Sequence, residues 1–298
     1  MKKLSLILSA LIVCFNASAE DLKNNLKEEF QSEFYTKIDK FSKELSSALA
    51  NKLRTHERIK YFDISIELQE KLKPTFEIQS INKLREETNS VWFNQTNILS
   101  HDGDTTINLG IGRRELFNNG TLMTGYNGFL DYQIDEGHFR KGLGFEAVSS
   151  KLDLIGNYYN AISDAKDTDE GQERALDGYD FKLNFHLPNK KNTDLFAQLF
   201  EWENPDSTYK ETGEKFGFTS VIGNFSLKAG YLNDNKNNDG YFGSIKLIIP
   251  LGKENILSNN QNNNKDQLSM RKKLYMPVQR ENKIKLVKIS SGVQVGGF

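Results

Sequence analysis

GYDFKLNFHLP, residues 178–188, sets Tyr179, Phe181, Leu183, Phe185 and Leu187 at alternate positions, with Asp180, Lys182, Asn184 and His186 between them. A period of two belongs to a β-strand, whose side chains point in turn to its two faces. One face here is aromatic and aliphatic, the other charged or amidic. Such a strand separates an apolar medium or core from water. Segments of the same kind recur between residues 56 and 252, and together they read as a β-barrel with lipid outside and water inside.

The alternation assigns a face to each residue. Leu122, Tyr126, Leu130, Tyr132 and Ile134 oppose Asn127, Asp131, Gln133 and Asp135. Phe139, Leu143 and Phe145 oppose Arg140, Gly142, Gly144 and Glu146, and Phe225, Leu227, Ala229 and Tyr231 oppose Asn224, Ser226 and Lys228. A charged side chain facing lipid near the midplane costs about 2–4 kcal/mol, so each charged set is expected to face the lumen. The predicted strand cores are 58–69, 75–84, 90–100, 105–115, 122–135, 139–149, 152–162, 178–188, 194–203, 214–222, 225–233 and 240–250. Between them lie turn-forming clusters: HDGD at 101–104, NNG at 118–120, DEG at 135–137 and NDNKNNDG at 233–240. The longest connection, SDAKDTDEGQERALD from Ser163 to Asp177, is hydrophilic and is expected to be an extracellular loop. The fold class is therefore all-β, a monomeric twelve-stranded antiparallel transmembrane barrel with a short periplasmic helix before it.

That helix is predicted over residues 20–55, where Phe30, Phe34, Ile38, Phe41, Leu45, Leu49 and Leu53 recur at spacings of three and four. Its stripe suits packing on its own protein, contact with a second copy, or a peptidoglycan-proximal contact. Ahead of it, residues 1–19 have a basic start, an apolar stretch from Leu4 to Phe15 and small residues to Ala19, the form of a signal peptide cleaved after Ala19. The apolar stretch is too short to span a bilayer as a permanent helix, which takes about 20 residues. Cys14, the only cysteine, leaves with the leader, which excludes disulfide and thiolate chemistry from the mature chain. Removing residues 1–19 takes two of the 39 basic residues and none of the 40 acidic ones, leaving a net charge of −3. That balance excludes a nucleic-acid footprint. Residues 253–298 form a linker and tail: an Asn-rich tract too poor in apolar residues to fold alone, then a partly alternating segment that makes neither a thirteenth barrel strand nor a domain.

Residues 105–188 carry a further signal. LGIGRRELFNNG, GYNGFLDYQID, HFRKGLGFEA, LIGNYYNAIS, QERALDGYDFKLNFHLP and LFAQLFEW follow one another in an order and spacing that resemble the translocator domain of inverse autotransporters, the intimin and invasin family. GFLDY, RKGLGFEA and Glu173-Arg174 followed by GYD at 178–180 are specific together. Weaker similarity extends over residues 56–288, and PVQRENKI at 277–284 looks like the linker that follows the barrel. The resemblance implies a twelve-stranded outer-membrane barrel inserted by the barrel-assembly machinery. It also implies a periplasmic N-terminus and a C-terminal passenger secreted through the pore to the cell surface, for adhesion. Family passengers are long arrays of immunoglobulin-like and lectin-like domains. One immunoglobulin-like domain takes about 100 residues, and 46 follow Gly252. An adhesive passenger is therefore expected to be absent, as is a peptidoglycan-binding module before the first strand.

Other chemistry is poorly supported. Gly110 and Gly112 before Arg113 and Arg114 lack the third glycine and following helix of a phosphate-binding loop; small residues in a crowded lumen account for them better. His56, His101, His138 and His186 have no metal-ligand spacing, and no Ser, His and Asp set has the setting of a catalytic triad. No enzyme activity, metal or cofactor is expected. The functional candidates are the lumen charges Arg114, Asp131, Arg140, Glu146, Asp180 and Lys182, read as a cross-strand ion-pair lattice that also lines the path of an unfolded polypeptide. The expected function is a translocator that exports or anchors its own short C-terminal segment, residues 253–298 threading the pore with Arg280 to Lys288 against the mixed-charge lumen. The alternative is a passive channel for small solutes; a lipocalin-like carrier would need an apolar interior.

Overall fold

The computed structural model describes residues 57–168, 171–188, 192–249, 251, 270–290 and 293–296. The leader, Ala19 and the helix predicted over 20–55 lie outside the described residues. Twelve strands close a barrel: β1 (Ile59–Gln69), β2 (Thr75–Glu86), β3 (Ser90–His101), β4 (Asp104–Phe117), β5 (Leu122–Gln133), β6 (Phe139–Ser149), β7 (Leu152–Ala161), β10 (Asp177–His186), β11 (Thr193–Glu203), β12 (Lys210–Ile222), β13 (Phe225–Asp234) and β14 (Gly240–Ile248). Each pairs antiparallel with its neighbour, and β14 returns to β1, with Asp63 opposite Ile248 and Gln69 opposite Phe242. Closure leaves no barrel edge unpaired, which is what allows strands to cross lipid. No helix among the described residues is long and apolar enough to do so.

The strands sit where the alternation predicts them. The largest displacement is at β12, which begins at Lys210 rather than residue 214. Its first residues pair with Glu201, Trp202 and Glu203, and Lys210 Nζ lies 2.5 Å from Glu201 Oε1. Ends of strands that stand clear of the lipid band need not alternate, so periodicity loses them. Turns follow the expected chemistry. Asp102 and Gly103, joining β3 to β4, take φ of 54° and 100°, the left-handed pair that a two-residue hairpin demands.

The outer face is the apolar one: Leu109, Leu130, Leu143, Phe145, Tyr158, Phe181 and Leu199 are all exposed there, Leu143 most of all at 67 %. The inward face of the same strands holds Asn108, Asp131, Arg140, Asn157 and Asp180, all buried.

Four further strands stand apart from the barrel. β8 (Lys166–Thr168) and β9 (Gly171–Ala175) form a hairpin inside the 163–177 connection, and β15 (Leu286–Ser290) and β16 (Val293–Gly296) form another in the tail. They join as one sheet in the order β16-β15-β9-β8, with Leu286 opposite Ala175 and Ile289 opposite Gln172. The connection read as the longest loop, 163–177, thus contains a hairpin of its own, which sequence reasoning did not find. Its short strands are too brief to show a period, and the strand that completes them comes from more than a hundred residues later. Ala161, Ala175, Ile284 and Leu286 pack together at the junction.

Candidate functional site, the pore lumen

Two charged rows cross the inner wall. In the first, Arg114 on β4, Gly125 on β5 and Glu146 on β6 are in register. Arg114 donates from Nε to Glu146 Oε1 at 2.5 Å and from Nη2 to Oε2 at 3.1 Å. The pair closes over Gly125, where a Cβ would collide with the Glu146 carboxylate. In the second row Asn108, Asp131 and Arg140 are in register on β4, β5 and β6. Asp131 accepts from Arg140 Nε at 2.8 Å and from Asn108 Nδ2 at 2.7 Å.

Asp180 and Lys182 do not join this lattice. Asp180 accepts from Tyr159 Oη at 2.7 Å and Asn157 Nδ2 at 3.0 Å, while Lys182 donates to Gln279 Oε1 at 2.7 Å. Their expected place in one ion-pair lattice is therefore corrected to a role in holding the wall and the tail. The two lie two residues apart on β10, roughly 7 Å along one face, so each reaches sideways to nearer partners.

The partner that these charges share is the tail itself, which runs through the barrel as expected from the sequence, with Arg280 against the charged lumen. At the mouth where β1 begins, Met270, Leu274 and Val278 pack into a buried apolar cluster with Tyr61, Ile81, Phe93, Leu116 and Met123. Arg114 donates to the carbonyls of Leu274, at 2.9 Å, and Met276, and Arg271 donates to the Thr88 carbonyl at 2.7 Å. Deeper in, Val278 N donates to Gln95 Oε1 at 2.8 Å. Arg280 then grips Asp131 with both prongs, Nη1 to Oδ1 at 2.8 Å and Nη2 to Oδ2 at 2.7 Å. Glu281 N donates to Tyr159 Oη at 2.7 Å, and Asn282 Nδ2 donates to Glu77 Oε1 at 2.6 Å. At the far mouth Lys283 Nζ lies 3.3 Å from His101 Nε2. Residues 277–283 thus span the lumen in one direction and deliver β15 to the outer hairpin.

A feature that sequence reasoning missed is an alternating row of glycines and aromatic rings. Gly110, Phe129, Gly142, Tyr159, Gly178 and Trp202 are in register across β4, β5, β6, β7, β10 and β11. Each ring lies over a neighbouring glycine: a Cβ on Gly110 would strike Phe129, and one on Gly178 would strike Trp202. The Arg280 guanidinium rests 4.2 Å from the Phe129 ring centre and 5.3 Å from that of Tyr159. The signal was legible, since Phe129 shares its parity with Asp131, yet an aromatic in a barrel strand is easily assigned to lipid. Among the described residues no group of three His, Cys, Asp or Glu side chains converges as a metal ion requires.

Comparison with known proteins agrees with this architecture. A solved chain reported under the heading "Unveiling the Mechanism Behind the in-meso Crystallization of Membrane Proteins" superimposes with a TM-score of 0.64 at 20% identity, over 76% of this chain and 98% of that one. A putative attaching and effacing protein homolog of Escherichia coli (strain K12) is 34% identical over 99 residues, 32% of this chain and 33% of that protein. The uncharacterized protein YchO of the same strain is 28% identical over 111 residues, 37% of this chain and 24% of that protein. The matches thus span about a third and a quarter of those relatives. The family model described as "Inverse autotransporter, beta-domain" matches residues 14–282, most of the sequence, and the chain belongs to that family of outer-membrane β-barrel translocators.

Proposed function

We propose that this barrel carries its own C-terminal segment from the periplasm to the cell surface, with the mouth at Ile59 periplasmic and the mouth at the β8–β9 hairpin extracellular. The supporting observation is the single passage of residues 277–283 along the lumen, fixed midway by Arg280 on Asp131. An extended chain advances roughly 3.3 Å per residue, so about 8 residues cross an apolar band about 25 Å tall. Seven residues in the lumen match that length.

The lumen suits a passing polypeptide. It offers amides, carboxylates and guanidinium groups that satisfy a backbone without a continuous ladder, together with a wall of rings and glycines that is sterically smooth. Residues beyond β15 emerge at the outer hairpin, so any sequence joined there would stand outside. One relative is described as an attaching and effacing homolog, and surface attachment is the activity that such display would serve. A tag placed at the C-terminus should be removed by protease added to intact cells, without permeabilisation. Protection of the tag on intact cells with cleavage after permeabilisation would reverse this topology.

A further inference from the structure

The tail does not fill the lumen. On its side facing β1, β2 and β10–β14 a space of about 380 Å³ remains, bordered by Val221 and Ile248 near one mouth and by Leu72 and Lys73 near the other. Seven lysines line it, and three of them come from the β10–β13 wall: Lys182 from β10, Lys215 from β12 and Lys228 from β13. These three gather on two rings. Lys182 and Lys228 Nζ lie 5.1 and 5.2 Å from the centre of Phe196. Lys228 and Lys215 Nζ lie 5.1 and 5.8 Å from that of Phe242, and the two rings are 6.2 Å apart.

Ring faces attract cations but do not neutralise them. Glu67, Glu77, Asp180, Asp194 and Glu281 line the same space, and one of these five comes within ion-pairing distance of the three lysines. Glu281 of the tail approaches Lys215 at 4.0 Å, and Asp180 is engaged by Tyr159 and Asn157. Lys182 is given to the Gln279 amide. Among the described residues Lys228 has no carboxylate oxygen within ion-pairing distance, although Glu67 lines the same space. Like charges brought together in a wall of low dielectric repel strongly, and a mobile anion among them relieves the repulsion.

We propose that Lys182, Lys215 and Lys228 form a binding site for a small anion of the carboxylate, phosphate or halide class, and that the passage beside the tail conducts anions in preference to cations. The three lysines converge from separate strands on one pair of rings, which fixes their positions as a scattered positive surface does not. The lining of the space reaches from Val221 and Ile248 near one mouth to Leu72 and Lys73 near the other, so the site lies along the lumen.

The test uses the full chain in planar bilayers under a potassium chloride gradient. The reversal potential should move toward the chloride equilibrium, and inorganic phosphate added to the bath should reduce the chloride current. K182Q/K215Q/K228Q should abolish both the preference and the phosphate effect, and K228Q alone should weaken both. Assembly is checked by the electrophoretic shift between unboiled and boiled samples. If the triple variant fails to assemble, Lys228→Gln decides, because its ammonium leaves no carboxylate unpaired. Preference for potassium, absence of any current, or a chloride preference untouched by the substitutions would overturn the site.

Discussion

Asp131 is the residue on which wall and tail meet. Its carboxylate serves Arg140 of β6 and Arg280 of the tail at once, and all three side chains are withdrawn from solvent. Removing one partner of a buried ion pair leaves uncompensated charge and costs about 3–5 kcal/mol. Asp131→Ala should therefore lower the temperature at which the barrel loses its electrophoretic shift and make the tail more accessible to protease. Asp131→Glu should lose less. The face assignment is tested at Leu183, which is exposed on the outer wall, and at its neighbour Asn184, buried inside beside Asp153 and Gln279. Leu183→Arg should reduce assembled barrel in the membrane fraction, since a cation near the midplane costs about 2–4 kcal/mol. Asn184→Arg faces Asp153 and should assemble; equal assembly of the two would invert the assignment. Parity makes these faces readable from sequence. It says nothing of who pairs with whom, because a lumen partner such as Arg280 lies about 150 positions from Asp131.

At the scale of elements, the barrel strands were legible because each carries its own period. The outer sheet was not, because β8, β9 and β15 are short and acquire meaning only together. Glu173 on β9 is the charged junction of that sheet. Its carboxylate lies 3.8 Å from His138 Nε2 and 3.6 Å from Lys288 Nζ. His138, and after it Lys288, hold Glu173 below the ordinary carboxylate range against the opposing effect of burial. A carboxyl depressed in the folded form contributes stability above its unfolded value, and that contribution is lost as pH falls through the folded one. Docking of β15 on β9 should thus be unchanged through neutral pH and weaken below about pH 4.5, the unperturbed value. A disulfide engineered between the facing positions Gln172 and Ile289 would trap the docked form, so protease sensitivity of the uncrosslinked tail against pH reads the transition. Glu173→Gln should flatten that profile, and an acid response unchanged in this variant would assign it to other groups.

For the whole molecule, strand pairing and tail contacts are separable. β14 pairs with β1 directly, so the cylinder closes without any residue of the tail. The tail adds Met270, Leu274 and Val278 to the apolar cluster at one mouth, Arg280 at the middle and β15 at the other mouth. These contacts stabilise occupancy of the pore, and their loss opens wet space in a lumen already lined by polar side chains. Alternation in the sequence revealed the cylinder and the length of the tail allowed it through the pore, whereas the individual contacts there, such as Arg280 on Asp131, join segments far apart in the chain. A chain ending before residue 253 should therefore still insert as a heat-modifiable barrel, with a lower unfolding temperature because Tyr61, Phe93 and Leu116 lose their apolar cover. Its single-channel conductance should exceed that of the full chain. Absence of an assembled barrel would show that the tail is needed for folding, and equal conductance would show that residues 277–283 do not occupy the conducting path.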